Sequence, residues 1–175
     1  MAAALIDTLF EVTNASANVV EKNTCSLFRL EHELNILFSE LQKKYKNIFF
    51  KLERSGHPSD LSLSQDELSG IFKIVSEAVE NSLTHSNPST IKAEVKLINH
   101  DLIQFSISDN GTGFDLDSVP ETNRHPGIKR ICDYANQING RVVFDSNPER
   151  GTQVVVSKPV EKQRARFYTR LVAMF

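Results

Sequence analysis

Glu77, Asn81 and His85 stand four residues apart, and Asp109, Gly111 and Gly113 follow on a stretch reading DNGTG. On a helix, residues four apart lie one above the other on one face. A carboxylate, an amide and an imidazole stacked in this way can hold a polar ligand, and the same column also suits an ordinary solvated face. Asp109 ends a strand-like run, where its carboxylate is free to accept hydrogen bonds. Glycines two apart allow positive φ and a close backbone approach to a ligand, although Asn-Gly turns are common without one.

The elements that must position these groups can be read from the apolar pattern. Ser64 and Glu67 have capping-box spacing, so a helix starts there. Leu68, Ile71, Phe72, Val75, Val79 and Leu83 form its apolar stripe. Thr90 to Ile98 alternates through Ile91, Ala93, Val95 and Leu97 and predicts a strand with one buried face. The cluster Asn99-His100-Asp101 turns the chain into a second strand carrying Leu102, Ile103, Phe105 and Ile107, so a hairpin is expected.

Upstream, Ala2 to Val20 predicts a rough amphipathic helix, with a break at Asn23-Thr24. Leu27 to Tyr45 is a better one, with Leu27, Leu30, Leu34, Leu37, Phe38 and Leu41 at helical spacing. Asn47 to Leu52 reads as a short strand and Ser55 to Leu63 as a loop. Downstream, Leu116 to His125 is polar and predicts a short lid. Pro126-Gly127 opens a helix whose buried face is Ile128, Ile131, Tyr134, Ala135 and Ile138, and Asn139-Gly140 stops it. Arg141 to Asp145 and Thr152 to Ser157 predict two strands, with Val143, Val154 and Val156 facing the core.

The chain of 175 residues is long enough for one domain with extensions. Its 40% hydrophobic and 24% charged residues are ordinary for a soluble globular protein, and a net charge of −2 argues against a general nucleic-acid surface. Cys25 and Cys132 have no metal spacing and make no disulfide framework, so they read as reduced, buried thiols of a cytosolic protein. No apolar run is long enough to span a membrane, and MAAALIDTLF lacks the basic end and long apolar stretch of a signal peptide. His57 and His100 sit in polar loops and carry no constellation.

A resemblance enters with three motifs. EAVENSLTHS resembles the N-box of the histidine-kinase, gyrase and heat-shock chaperone ATPase superfamily. DNGTGFD resembles its first glycine box. HPGIKRICDYANQINGRVVFDSNPERGTQVVVSKP resembles its second glycine box, the following helix and the closing strand pair. Order and spacing are similar to the ATP-binding domain of bacterial sensor histidine kinases. The match is to the short-lid subfamily that pairs with nitrate- and membrane-fluidity-type response regulators, over Ser26 to Pro159.

The resemblance implies an α/β (α+β) two-layer sandwich, a mixed sheet of about five strands with helices on one face, plus an N-terminal helical segment. Residues 1–25 are then a helical segment, 26–159 the ATP-binding domain and 160–175 a basic extension, read either as an amphipathic docking helix or as a partly ordered tail. The implied cofactors are ATP and Mg²⁺. Asn81 resembles the Mg²⁺-binding residue beside the phosphates, an amide oxygen being a suitable hard ligand. Glu77 resembles the acid that orients a metal-bound or attacking water, and His85 the phosphate-proximal end of the N-box; these two are the implied catalytic residues. Asp109 resembles the acceptor of the adenine amino group, with Gly111 and Gly113 leaving room beside the base. Thr152 resembles the threonine that supports the adenine-side network. Gly127 is the glycine kept in the second glycine box, where family members carry Gly-X-Gly-Leu and this chain has His125-Pro126-Gly127-Ile128. Proline removes one amide donor from the phosphate side, and His125, Arg124 or Lys129 is expected to supply charge instead.

The implied activity is γ-phosphoryl transfer from ATP to a histidine on a dimeric helical bundle, in cis or in trans. A response regulator follows downstream, in the cytoplasm, and a homodimer is compatible with this arrangement. His32, in EHEL, superficially resembles a phosphoacceptor site, but it lies on a helix of the ATP-binding domain itself and reads as a surface histidine. Two alternatives stay open. An anti-sigma-factor serine kinase shares the N-box and glycine turn. A non-catalytic adaptor or phosphotransfer protein would keep the fold after losing turnover.

Overall fold

Six apolar residues at helical spacing decide the first large element. Leu27, Leu30, Leu34, Leu37, Phe38 and Leu41 are all buried along one side of helix α1 (Leu27–Lys44). Each such side chain taken from water stabilises the fold by about 1.5–3 kcal/mol before entropy is counted, so this stripe fixes which side of α1 faces inward. His32 lies on the exposed side of the same helix.

The computed structural model describes Thr8 and residues 25–55, 62–98, 102–115 and 126–159. The expected helix over residues 2–20 (Thr8, helical, apart), His57, the Asn99–Asp101 turn with His100, the lid with Arg124 and His125, and the basic tail over 160–175 lie outside the described residues. In chain order, β1 (Cys25–Ser26) precedes α1, and β2 (Phe49–Ser55) and β3 (Ser62–Leu63) follow it. Then come α2 (Gln65–Asn81), a π-helical turn (Ser82–Ser86), β4 (Thr90–Ile98), β5 (Leu102–Asp109), α3 (Pro126–Gln137), β6 (Arg141–Asn147) and β7 (Gly151–Pro159).

The main sheet has five strands in the order β2-β4-β5-β7-β6, with β1 and β3 forming a separate two-stranded ribbon. β2 runs parallel to β4 and the remaining neighbours are antiparallel, so the sheet is mixed. Ile91, Ala93 and Val95, then Ile103, Phe105 and Ile107, then Val154 and Val156, are buried on one face in a single core with the helices. The other face carries polar rows such as Glu53, Glu94 and Ser106 in register. There, hydrogen bonds from Lys51 and Lys92 hold the Glu53 carboxyl down to about 2. Helices on one face and a solvated second face make the expected two-layer sandwich.

α2 starts where the capping box predicts. The Ser64 hydroxyl accepts from Glu67 N at 3.2 Å, and Glu67 Oε2 accepts from Ser64 N at 2.7 Å. Glu67 also meets the buried Lys158 of β7 at 2.5 Å, tying the first turn of α2 to the sheet. At the end of α3, Asn139 (φ 54) takes the left-handed conformation that ends the helix.

Two expectations need correction. Val143 does not face the core: it is 52% exposed, and Val142 and Phe144 pack inward instead. The register pairs Val142 with Val156 and Phe144 with Val154, and side chains opposite each other share a face, so the buried parity of β7 forces Val143 outward. Cys132, expected to be buried, is half-buried on α3, and the Cys25 side chain lies outside the described residues.

Candidate functional site

The end of α2, the end of β5 and the start of β7 converge at one edge of the sheet, and the start of α3 closes the arrangement. Between them lies an open cleft of about 750 Å³, counting the space at its mouth. Its walls are apolar: Ala78, Ile107, Ile131, Phe144 and Val154. Its polar groups are few, among them Asn81, His85, Asp109 and Thr152. Flat apolar walls with a small number of convergent polar groups suit a planar heterocycle.

Asp109, the last residue of β5, is 7% exposed. Its Oδ2 accepts from Ser82 Oγ at 2.7 Å and from Ser86 Oγ at 3.4 Å, and its Oδ1 accepts from Gly111 N at 2.9 Å. A carboxylate offers about four lone-pair sites, so Oδ1 keeps an acceptor direction unspent in these bonds. Both serines sit on the π-helical turn. Ser82 Oγ also bonds back to Ala78 O at 3.1 Å, the kind of side-chain intrusion that disturbs an α-helical ladder.

The expected column is divided. Glu77, Asn81 and His85 were to share one face, but Glu77 is held by Arg130 of α3 and does not line the cleft, whereas Asn81 and His85, the latter inside the π-turn, both do. Glu77 is buried against α3, Asn81 is half-buried and His85 is exposed at the cleft. Asn81 and His85 line the cleft. Asn81 makes no side-chain hydrogen bond among the described residues, so its amide oxygen is an unspent acceptor.

Gly127, in the first turn of α3, is buried, and a Cβ there would lie 2.5 Å from Asn81 Oδ1 and 2.7 Å from Glu77 Oε1. Glycine therefore lets α3 rest directly on both groups. One turn along, Arg130 clamps Glu77 with two bonds, Nε to Oε2 at 2.8 Å and Nη2 to Oε1 at 2.7 Å. Glu77 is 9% exposed, and the hydrogen bond to it raises the Arg130 pKa further above its ordinary value. Lys129, beside Arg130 on α3, is exposed.

Gly111 and Gly113 do not use the positive φ that glycine allows. Neither has positive φ; among the described glycines only Gly151 does (φ 81). A Cβ on Gly111 would overlap the Ser86 carbonyl, and one on Gly113 the Asn147 and Gly151 carbonyls. The close approach is to this chain's own backbone, and Thr112 N donates to Ser86 O at 2.7 Å across it. Asn110 pins the other side of the turn, its Oδ1 accepting from Thr90 N at 2.8 Å. Thr152 Oγ1 lies 2.9 Å from Ser146 Oγ, which in turn accepts from Phe114 N at 2.9 Å, so Thr152 is linked to the glycine turn through Ser146.

Residues 66–162, more than half of the chain, match the family model "Histidine kinase-, DNA gyrase B-, and HSP90-like ATPase". The chain belongs to this family. The sensor protein VraS of Staphylococcus aureus is 35% identical over 94 residues, which are 53% of this chain and 26% of VraS. An uncharacterized sensor-like histidine kinase of Chloroflexus aurantiacus is 29% identical over 94 residues, 52% of this chain and 16% of that protein. The matched part thus spans only 16–26% of these relatives' length. Among solved structures, the histidine kinase domain of the Erythrobacter litoralis EL346 blue-light activated histidine kinase superposes with a TM-score of 0.66 at 15% identity, covering 82% of this chain and 71% of that one. The catalytic domain of histidine kinase ThkA superposes at 0.62 with 19% identity, covering 80% and 97%. These likenesses show the fold.

The stretches EAVENSLTHS and DNGTGFD thus meet at one cleft, with the start of α3 packed beside Asn81. Ser82, Ser86, Ser146 and Arg130 were missed in the sequence. Ser82 and Ser86 carried a usable signal, being four apart in the same motif. Arg130 carried none, because its partner is 53 residues away.

Proposed function

We propose that the chain binds ATP with Mg²⁺ as the catalytic domain of a two-component sensor histidine kinase, with residues 26–159 as the working unit and 1–25 and 160–175 as extensions. One observation carries this reading: the Asp109 carboxylate, fixed by two hydroxyls and a backbone amide, faces an apolar cleft with an acceptor direction to spare. An exocyclic amine such as that of adenine supplies the matching donor. Gly111 and Gly113 keep the turn beside the base in place, and Thr152 supports it through Ser146.

The other end of the cleft fits a hard cation. Asn81 presents a neutral amide oxygen, and Mg²⁺ ordinarily takes one or two protein oxygens plus phosphate and water. Bound with the nucleotide, the cation would neutralise phosphate charge. Glu77 and His85 are the groups available to orient or receive a proton there. In the reaction, the bond from the γ-phosphorus to the β–γ bridging oxygen breaks and a bond from that phosphorus to an imidazole nitrogen forms. ADP leaves, and the imidazole gives up its N–H proton. Positioning and charge neutralisation then dominate, as in other phosphoryl transfers. The acceptor histidine belongs to a partner helical bundle in cis or in trans, and a response regulator is the downstream partner. No helix among the described residues is long and apolar enough to cross a membrane.

A specific observation also favours the adaptor reading: both Glu77 oxygens are taken by Arg130. Titration calorimetry with a non-hydrolysable ATP analogue, with and without Mg²⁺, separates the two. Saturable, Mg²⁺-strengthened binding supports the kinase reading. No binding at millimolar ligand supports the adaptor.

A further inference from the structure

Arg130, on the second turn of α3, is a strong charge near the Asn81 end of the cleft. It is fixed at Glu77 Oε1, the same atom that lies beside the Gly127 position shared with Asn81. Through Glu77, the guanidinium is thus one carboxylate removed from the amide that would meet the cation and phosphates. It is not fully spent. Five N–H donors are available on an arginine, and the clamp on Glu77 uses two of them. Half of the side chain is exposed. Its other near charge is Glu80, also on α2, and both carboxylates repel an incoming polyphosphate unless a cation offsets them.

The need for such a group is local. Pro126, at the first position of α3, has no amide hydrogen, so this helix start offers one backbone donor fewer to an anion. A planar fork that holds a carboxylate with one edge and a phosphate with the other replaces that donor with a charged one.

We propose that Arg130 contacts the terminal phosphates of the nucleotide while still holding Glu77, bridging the N-box carboxylate and the substrate. This rests on the nucleotide-binding reading and names the residue that makes the site select for phosphate number. Glu77 is then aligned by the same side chain that registers the phosphates, so the clamp is part of the competent site and not a block on it.

The test is equilibrium binding of adenosine, ADP and a non-hydrolysable ATP analogue to the full chain, for wild type, Arg130→Gln, Arg130→Lys and Glu77→Gln. Arg130→Gln is expected to leave adenosine affinity unchanged and to weaken the triphosphate by about tenfold, the scale of one charge-assisted contact. Its dependence on salt should flatten. Arg130→Lys should recover part of the triphosphate affinity, and Arg130→Gln should still cost affinity in a Glu77→Gln background, where the clamp has lost its charged partner. Triphosphate binding by Arg130→Gln equal to wild type would overturn the proposal, as would a loss that disappears in the Glu77→Gln background. Should Arg130→Gln fail to fold, the lysine variant decides: no change in the ratio of triphosphate to adenosine affinity on Glu77→Gln and on Arg130→Lys alike refutes the bridge. Failure of wild type to bind even adenosine removes the nucleotide-binding reading first, which is a different result from losing phosphate selectivity alone.

Discussion

Replacing Asp109 by asparagine changes one atom and isolates the charge. Oδ1 can stay where it is, accepting from Gly111 N at 2.9 Å. The new amide nitrogen takes the place of Oδ2, facing Ser82 Oγ at 2.7 Å and Ser86 Oγ at 3.4 Å. A hydroxyl both donates and accepts, so Ser82 can turn its proton to Ala78 O, already 3.1 Å away, and accept from the amide. No buried polar group is orphaned, and the stability change should stay within about 1 kcal/mol. The adenine side behaves differently. The hydrogen bond from an exocyclic amine passes from a charged to a neutral acceptor, and hydrogen bonds to charged groups contribute about 1.5–3 kcal/mol where neutral ones contribute 0.5–1.5. The difference corresponds to a loss of roughly tenfold in affinity, common to adenosine, ADP and the triphosphate. Calorimetry reads the affinity and thermal unfolding reads the stability. A variant that keeps wild-type stability and wild-type adenosine affinity refutes the role given to Asp109. A variant that unfolds instead shows that the serine relay cannot reverse its donors.

Gly127→Ala should lower the melting temperature, because its Cβ would lie 2.5 Å from Asn81 Oδ1 and 2.7 Å from Oε1 of Glu77, which is buried and clamped by Arg130. It should also weaken the Mg²⁺-dependent part of nucleotide binding severalfold, since both side-chain ends must shift, and equal binding with and without Mg²⁺ in wild type would sink it. Burial pushes the Glu67 carboxyl up, but the hydrogen bonds from Lys158 and the Ser64 amide outweigh it and hold the pKa below 4.5. A carboxyl lowered in the folded state contributes stability above pH 4.5 that is lost as pH falls through the folded value, so Glu67→Gln should lower the melting temperature at pH 7 and flatten its decline below pH 4.5. A parallel decline in both proteins would show that the pair with Lys158 contributes nothing. Ser76 Oγ is buried on α2 with no hydrogen-bond partner among the described residues, so Ser76→Ala should be neutral or stabilise by about 1 kcal/mol in a denaturant titration, and a clear loss would point to a partner for that hydroxyl.

Helix and strand identities were written in short-range patterns. The leucines of α1, the Ser64–Glu67 box of α2 and the alternation of β4 and β5 each need only neighbours a few residues away, and the structure places these elements within a few residues of the expected bounds. The polar residues of the N-box and the Asp109 turn were legible for the same reason, as fixed offsets within one segment. The facing of β6 was not. Val142, Val143 and Phe144 are consecutive apolar residues, and alternation cannot choose between their two parities until β7 supplies a partner.

By itself, the sequence singled out Asn81, His85, Asp109 and Thr152, which line the cleft, because a carboxylate or an amide is chosen residue by residue and its local offset is set by helix and strand periods. Tertiary structure alone decided what those groups touch. Ser82 and Ser86 reach from the π-turn across to Asp109, and Arg130 meets Glu77 from another helix, so Asn81 and His85 line the cleft and Glu77 does not. The glycines of the turn serve close packing on the Ser86, Asn147 and Gly151 carbonyls and do not need positive φ. Such contacts join segments tens of residues apart, and no local spacing encodes them: they exist only once the apolar faces of α2, α3 and the sheet have docked.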